Sequence, residues 1–179
     1  VFEEVVKTLR ERGRKVRPLI VGAGPAGDDL AGRIGEAVFT GHVEGEELAR
    51  AVGSADILVN PSTTEAFGNV NLEAMASGLA VVSADAPAAR ALIEDGKNGL
   101  IVPPRDARAY ADAIERLTDD PAYRKTLADA GIAFSERYHW SAILDNVIAS
   151  YRQAIAEGPH LRDPKVAAVA AKRRAAFAA

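Results

Sequence analysis

Short apolar runs alternate with amphipathic segments over the first hundred residues. In 1–12 the apolar residues recur at helical spacing, and 16–21 is an apolar run that ends at a glycine, as buried strands often do. The same pairing recurs downstream. The pattern predicts strands at 16–21, 37–40, 56–59, 79–83 and 100–102, and helices at 1–12, 28–34, 44–52, 68–77 and 88–93. Because the strands are apolar on both faces and separated by helices, we predict an α/β fold, with one Rossmann-like parallel sheet of about five or six strands and helices on both faces.

The pattern changes after Pro103-Pro104, where helical periodicity continues without a further strand. The helical segments are 106–117, 121–138 and 141–156. The last segment, 158–179, is rich in alanine and carries five basic residues and one acidic residue. We therefore predict a single domain over 1–157 with a helical C-terminus, followed by a basic tail over 158–179.

Composition excludes several classes of protein. The chain has 179 residues and no cysteine, which rules out a disulfide framework and a thiolate metal site. Its formal net charge of −3 argues against general nucleic-acid binding, because such binding depends on many cationic contacts with phosphates. No stretch reaches the roughly 18 consecutive apolar residues of a membrane-spanning helix. The chain begins without a methionine or a signal-peptide pattern, so we interpret it as a piece of a longer protein.

The loop and helix between the third and fourth predicted strands carry the clearest candidate chemistry. Gly68 lets a ligand approach the backbone closely, and the N–H groups of Gly68, Asn69 and Val70 would face that ligand at a helix N-terminus, which favours an anion. Glu65 precedes this helix and Glu73 lies in its second turn. Carboxylates only accept hydrogen bonds, so they suit the vicinal hydroxyls of sugars. Phosphates on amides and hydroxyls on carboxylates together indicate a site for a nucleotide sugar.

The same segment carries a family resemblance. Glu65 and Glu73 form an E-x7-E motif within the run EAFGNVNLEAMASG, which resembles the signature of GT-B glycosyltransferases of the family 4 (group 1) type. The segment 21–25 resembles the family's G-x-G-P turn, and 39–43 resembles its F-x-G-x-V segment. The resemblance extends over 1–157. It implies that the chain is the C-terminal, donor-binding domain of a two-domain enzyme, without its N-terminal acceptor-binding domain and without the first strand of this domain.

The resemblance also implies a role for each site residue. Glu65 would be the catalytic residue and contact the donor sugar, Glu73 would hold the ribose hydroxyls, and the amides of 67–70 would meet the distal phosphate. The segment 41–43 would lie near the nucleobase. The implied donor-binding residues are Glu65, Phe67, Gly68, Asn69, Val70, Glu73, Gly41, His42 and Val43. The implied reaction transfers a hexose from a nucleoside-diphosphate sugar to an acceptor with retention of anomeric configuration, without a cofactor and without a bound metal ion.

Further expectations concern partners and localisation. The missing strand would carry an Arg and a Lys that neutralise the diphosphate, so we expect this chain alone to be inactive without the N-terminal domain. The implied partners are a nucleotide-sugar donor and that domain, and no nucleic acid. The implied location is the cytoplasm. We interpret the basic run Lys172-Arg173-Arg174 as an ordinary solvated helix end or, alternatively, as a weak contact with the missing domain or with an anionic membrane, at its inner face.

Several alternative functions stay open at this point. The segment Gly22–Gly27 is a formal G-x-G-x-x-G after a strand, and Glu44 follows about 20 residues later, as in FAD- and NAD-binding oxidoreductases. That interpretation leaves every motif after Gly41 unexplained. A non-catalytic nucleotide-binding module is another alternative. A sugar-nucleotide epimerase or sugar phosphorylase of the same two-domain fold is the nearer alternative.

Overall fold

The computed structural model describes residues 1–157, which fall into two units. The first unit is Val1–Glu136, and the second begins at Arg137. The second unit contains α8 (Trp140–Glu157), which follows a short 3-10 turn at Glu136–Tyr138. The predicted tail, 158–179, lies outside the described residues, and its boundary stays a prediction.

Helices and strands alternate in the first unit, as the apolar pattern predicts. The helices are α1 (Phe2–Glu11), α2 (Gly27–Ile34), α3 (Gly45–Gly53), α4 (Asn69–Ala76), α5 (Pro87–Leu92), α6 (Ala107–Asp119) and α7 (Pro121–Ser135). The strands are β1 (Leu19–Ile20), β2 (Val38–Phe39), β3 (Ile57–Asn60), β4 (Ala80–Ala84) and β5 (Leu100–Val102). β1 is shorter than the predicted 16–21, because Pro18 has no N–H to donate to a strand ladder. Pro18 contributes only its carbonyl, which accepts the N–H of Val38 at 2.8 Å.

The strands form two parallel sheets instead of the single sheet of five or six strands that we predicted. β1 pairs with β2, and β3, β4 and β5 form a three-stranded sheet in that order. Within residues 1–157 no strand pairing joins β1 to β3. Apolar runs predict which segments form strands, but they do not predict which strands pair with each other. The α/β class, the parallel Rossmann-like strands and the helical C-terminus are confirmed.

The core surrounds β4, whose five residues are all buried. Because side chains alternate along a strand, Ala80, Val82 and Ala84 share one face and join the cluster formed by α1 and α6. Val81 and Ser83 point to the opposite face, where Asn71 of α4 reaches Ser83. Helices therefore cover both faces of the three-stranded sheet and fix the carboxyl ends of β3 and β4, where the candidate site lies.

Candidate functional site

The site begins where β3 ends. Asn60 is the last residue of β3, and a loop leads from it to Gly68, the residue that precedes α4. Parallel α/β sheets bind ligands outside the carboxyl ends of their strands, so this loop has the expected position for a ligand site. Gly68 has φ +89°, in the left-handed region that L side chains rarely adopt. A β-carbon at this position would also lie 3.5 Å from Oε2 of Glu65, so the turn keeps the backbone and this carboxylate close together.

The N-terminus of α4 is open to solvent. The first hydrogen bonds of the helix run from Asn71 N and Leu72 N to the carbonyl of Gly68, at 3.0 and 3.3 Å. The amides of Asn69 and Val70 therefore lie ahead of the first hydrogen-bonded turn and have no acceptor within the helix. The first turn carries no acidic side chain. Asn69 and Val70 are exposed, Val70 by 42%, so the start of the helix faces solvent, as an anion site at a helix N-terminus requires.

The two predicted carboxylates lie on either side of this helix start in the sequence and differ in their surroundings. Glu65 is half-buried, and its Oε1 accepts a hydrogen bond of 3.4 Å from Nδ2 of Asn60. Glu73 is exposed together with Asn69 and Ser77. These three residues, spaced four apart, form a polar face of the helix. Ser77 donates to the backbone carbonyl of Glu73 at 2.8 Å, and the structure describes no partner for the Glu73 carboxylate in residues 1–157.

A chain of buried polar groups behind Glu65 was not anticipated from the sequence. Asn60, Asn71 and Ser83 are 6%, 1% and 1% exposed. Nδ2 of Asn60 donates to Oδ1 of Asn71 at 2.9 Å, and Nδ2 of Asn71 donates to Oγ of Ser83 at 3.4 Å. The available signal was the position of Asn71, which shares a helix face with the apolar residues Ala74 and Met75. A polar residue on a buried helix face needs partners inside the protein.

Two further contacts fix the ends of β3 and β4. Tyr110 is fully buried in α6 and donates its hydroxyl to the carbonyl of Asn60 at 3.0 Å. Burial raises the pKa of Tyr110 to about 12, so this donor stays protonated at neutral pH. After β4, Arg90 donates to both carboxylate oxygens of Asp85, and these hydrogen bonds lower the pKa of Asp85. Asp85 is therefore an ionised carboxylate that already has a cationic partner.

The predicted nucleobase segment lies at the end of the other sheet. Gly41, His42 and Val43 follow β2, and the carbonyl of Gly41 accepts the N–H of Gly22 at 3.0 Å. The exposed imidazole of His42 has its Nε2 2.9 Å from Oε1 of Glu44. The structure thus groups Glu65 with the N-terminus of α4, whereas 41–43 belong to the loop after the two-stranded sheet.

The described residues contain neither a cluster of metal-binding side chains nor a membrane-spanning helix. Residues 1–157 contain no group of three or more His, Asp or Glu side chains that could hold a metal ion. None of the helices in that range is both long enough and apolar enough to cross a membrane.

The family model described as "Glycosyl transferases group 1" matches residues 1–120. The alpha-D-kanosaminyltransferase of Streptomyces kanamyceticus is 34% identical over 159 residues, which cover 85% of this chain and 41% of that protein. The phosphatidyl-myo-inositol mannosyltransferase of Mycobacterium tuberculosis is 37% identical over 167 residues, which cover 88% of this chain and 44% of that protein. The chain therefore spans less than half the length of these two relatives.

Solved structures give the same result for the fold. The sucrose-phosphate synthase from Thermosynechococcus elongatus superposes with a TM-score of 0.77 at 30% identity, over 87% of this chain and 43% of that one. Anabaena HepE, solved in complex with UDP and glucose, superposes with a TM-score of 0.72 at 22% identity, over 84% of this chain and 44% of that one. Nothing in these comparisons supports the dinucleotide-binding oxidoreductase. The family match spans most of the chain, including the loop after β3 and the start of α4, and the chain accordingly belongs to the glycosyl transferases group 1 family.

Proposed function

We propose that residues 1–157 form the nucleotide-sugar-binding half of a retaining, metal-independent glycosyltransferase that moves a hexose to an acceptor. The observation that carries the proposal is the left-handed Gly68, which places the open N-terminus of α4 beside the carboxylate of Glu65. An anion-binding helix end next to a sugar-binding carboxylate fits a donor whose phosphate and sugar are directly linked. The names of the kanosaminyltransferase and mannosyltransferase relatives support sugar transfer as the reaction.

Each part of the donor has a matching group in this proposal. The amides of Phe67, Gly68, Asn69 and Val70 bind the distal phosphate, and the carboxylate of Glu65 contacts the sugar. Glu73 lies in the second turn of α4 and is exposed, and its carboxylate has no partner described within residues 1–157, so it can accept hydrogen bonds from both ribose hydroxyls. The segment Gly41–Val43 lies near the base.

The chemistry follows from where charge develops. When the bond from the sugar to the phosphate breaks, negative charge grows on the leaving phosphate and positive charge grows on the sugar ring. Fixed amide dipoles at the α4 N-terminus stabilise the negative charge, and such preorganised stabilisation is usually the largest catalytic contribution. The carboxylate of Glu65 stabilises the positive charge. Because the helix end supplies the electrostatic stabilisation, the proposal does not call on a divalent ion.

The rest of the proposal concerns the remainder of the enzyme. A further domain supplies the acceptor site, and this chain alone is inactive. The enzyme works in the cytoplasm, and the basic tail offers a contact with the inner face of the membrane.

A transfer assay on the complete natural enzyme tests this proposal. Glu65→Ala should lower the transfer rate by at least about 100-fold, because a charge-stabilising group at the reacting centre is lost. The control is Glu11→Gln, which removes an exposed carboxylate on α1 whose ion-pair partner among the described residues is Lys7, at 3.9 Å. NMR of the product should show the anomeric configuration of the donor, and EDTA should leave the rate unchanged. Transfer that survives Glu65→Ala would overturn the proposal. Conversion of the sugar nucleotide to an epimer without an acceptor would favour the epimerase instead.

A further inference from the structure

The orientation of the Asn60 amide is fixed by two partners whose hydrogen-bonding roles are unambiguous. The backbone N–H of Ser62 donates to Oδ1 of Asn60 at 3.0 Å, so this atom is the oxygen. The carboxylate of Glu65 can only accept, and it lies 3.4 Å from the other atom, which is therefore Nδ2. Asn60 thus presents an N–H group to Glu65.

The remainder of the buried chain prevents this amide from turning away. The second N–H of Asn60 is used by Oδ1 of Asn71 at 2.9 Å, and Asn71 in turn donates to Ser83. Tyr110 holds the backbone carbonyl of the same residue. Because Asn60 is only 6% exposed, water cannot easily replace these hydrogen-bond partners. A rotated Asn60 amide would therefore leave buried polar groups unsatisfied.

Glu65 has few other restraints. It is half-buried in a loop, and Asn60 is the only hydrogen-bond partner that the structure describes for its carboxylate within residues 1–157. A long acidic side chain in a loop samples several rotamers, and ordering it on binding costs conformational entropy. A fixed donor reduces that cost before the ligand arrives.

We propose that Asn60 is a positioning residue: its buried amide aims the Glu65 carboxylate toward the sugar of the donor. This inference rests on the proposed function, in which Glu65 contacts the sugar and α4 binds the phosphates. Asn60 acts through Glu65 and does not touch the donor. It follows that Asn60 affects recognition of the sugar but not recognition of the nucleoside diphosphate.

Asn60→Asp tests this relation selectively. The new side chain still accepts the N–H of Ser62, and the Asn71 amide can reverse, because Ser83 can donate as well as accept. The buried chain therefore retains its hydrogen bonds. The contact with Glu65 becomes unfavourable because two carboxylate oxygens now face each other, and the added buried charge also lowers the free energy of unfolding.

The measurement is calorimetric titration of the complete natural enzyme with UDP, GDP and ADP, and with UDP-glucose, GDP-mannose and ADP-glucose. For whichever base binds, Asn60→Asp should weaken the sugar nucleotide about tenfold and leave the free nucleoside diphosphate unchanged. Ser83→Ala is the matched control, because it perturbs the far end of the same buried chain. It should lower the melting temperature without changing the ratio of the two affinities.

Repeating Asn60→Asp in a protein that already carries Glu65→Gln shows whether Asn60 acts through Glu65 or binds the donor directly. In Glu65→Gln the added amide can donate to Asp at position 60, so Asn60→Asp should cause no further loss of sugar-nucleotide affinity there. Where Asn60→Asp does not fold, Asn60→Ser replaces it: this neutral, shorter side chain does not reach Glu65 and should give the same selective loss.

The outcomes distinguish this inference from the proposed function. Equal weakening of nucleoside diphosphate and sugar nucleotide by Asn60→Asp would overturn the positioning role, as would an undiminished effect in the Glu65→Gln background. Absence of nucleotide binding in the natural enzyme, or full sugar-nucleotide affinity in Glu65→Gln alone, would overturn the proposed function and this inference with it.

Discussion

At the scale of single residues, the site depends on backbone conformations and buried hydrogen bonds as much as on its carboxylates. Gly68 holds a left-handed conformation at the start of α4, and Asn60 connects the end of β3 with Asn71, Ser62 and Glu65. These contacts hold an open helix end and a carboxylate close together. Changes at Gly68 or at the partners of Asn60 should therefore affect both stability and binding.

Gly68→Ala should destabilise the fold and weaken nucleotide binding. An L side chain at φ +89° costs about 1–2 kcal/mol, and the new β-carbon would lie beside Glu65 and Leu92. Chemical denaturation and nucleotide titration measure the two effects. Gly32→Ala is the matched control, because Gly32 lies inside α2 with nothing within 4 Å of an added β-carbon and without positive φ. That control should stabilise the fold by about 0.5–1 kcal/mol, and a Gly68→Ala protein as stable as Gly32→Ala would contradict the prediction.

Tyr110 should make the stability depend on alkaline pH. Its pKa rises from 10.0 to about 12 in the fold, so the protonated phenol is favoured in the folded state. The stabilisation that this pKa shift adds to the free energy of unfolding is complete below pH 10 and is lost as the pH rises through about 12. Tyr110→Phe should lower the free energy of unfolding by about 1–3 kcal/mol at neutral pH, since the Asn60 carbonyl loses its donor.

The gap in stability between natural protein and Tyr110→Phe should narrow between pH 10 and pH 12, because only the natural protein has this phenol to ionise. Denaturation curves at several pH values measure the gap directly. Lysine titration is common to both proteins and cancels. A gap that stays constant over this range would show that burial does not perturb the phenol.

At the scale of helices and strands, the fold joins two sheets of different local stability. All five residues of β4 are buried between two partner strands, whereas β1 and β2 form a two-residue pair that is only half-buried. The loop with Glu65 follows the well-packed sheet, and the 41–43 segment follows the small one. The groups proposed to bind the phosphate and the sugar therefore follow the more deeply buried sheet.

Amide hydrogen exchange should show this difference. Amides in β4 should exchange only through global unfolding, because their hydrogen bonds lie between two strands and under helices. Amides in β1 and β2 should exchange by local opening and be orders of magnitude less protected. Measuring exchange under native conditions with residue resolution tests this prediction. Equal protection in β2 and β4 would contradict it.

The sequence predicts elements better than it predicts their pairing. The strand Leu100–Val102 is confirmed to the residue, because Gly99 and Pro103 bound a short apolar run. The separation of β1 from β3 could not be read from apolar runs, since strand pairing depends on contacts between segments that are distant in the sequence. In the site, the loop, the helix start and the exposure of Glu73 follow from local pattern. The partnership of Asn60 with Asn71 and Tyr110 depends on contacts across up to 50 residues, which no local pattern contains.

At the scale of the whole molecule, the chain matches less than half of each of the two relatives described above. Each relative is more than twice as long as the segment that aligns with this chain. Its first unit contains a buried hydrophobic core, with helices on both faces of the three-stranded sheet. The proposed donor site lies at one edge of that sheet and leaves the α4 N-terminus and Glu73 exposed. We expect the acceptor to approach from this open side, on a domain outside these residues.

Nucleotide binding by the complete natural enzyme is the most direct test of the account. A thermal-shift panel with UDP, GDP, ADP, NAD and FAD should show a rise of several degrees with one nucleoside diphosphate, since a ligand at about 100 times its Kd adds roughly 2.7 kcal/mol. Glu73→Gln should abolish most of that rise, and Glu11→Gln should preserve it. A shift with NAD or FAD alone, or none with any nucleoside diphosphate, would contradict the assignment of this domain as the donor-binding half of a glycosyltransferase.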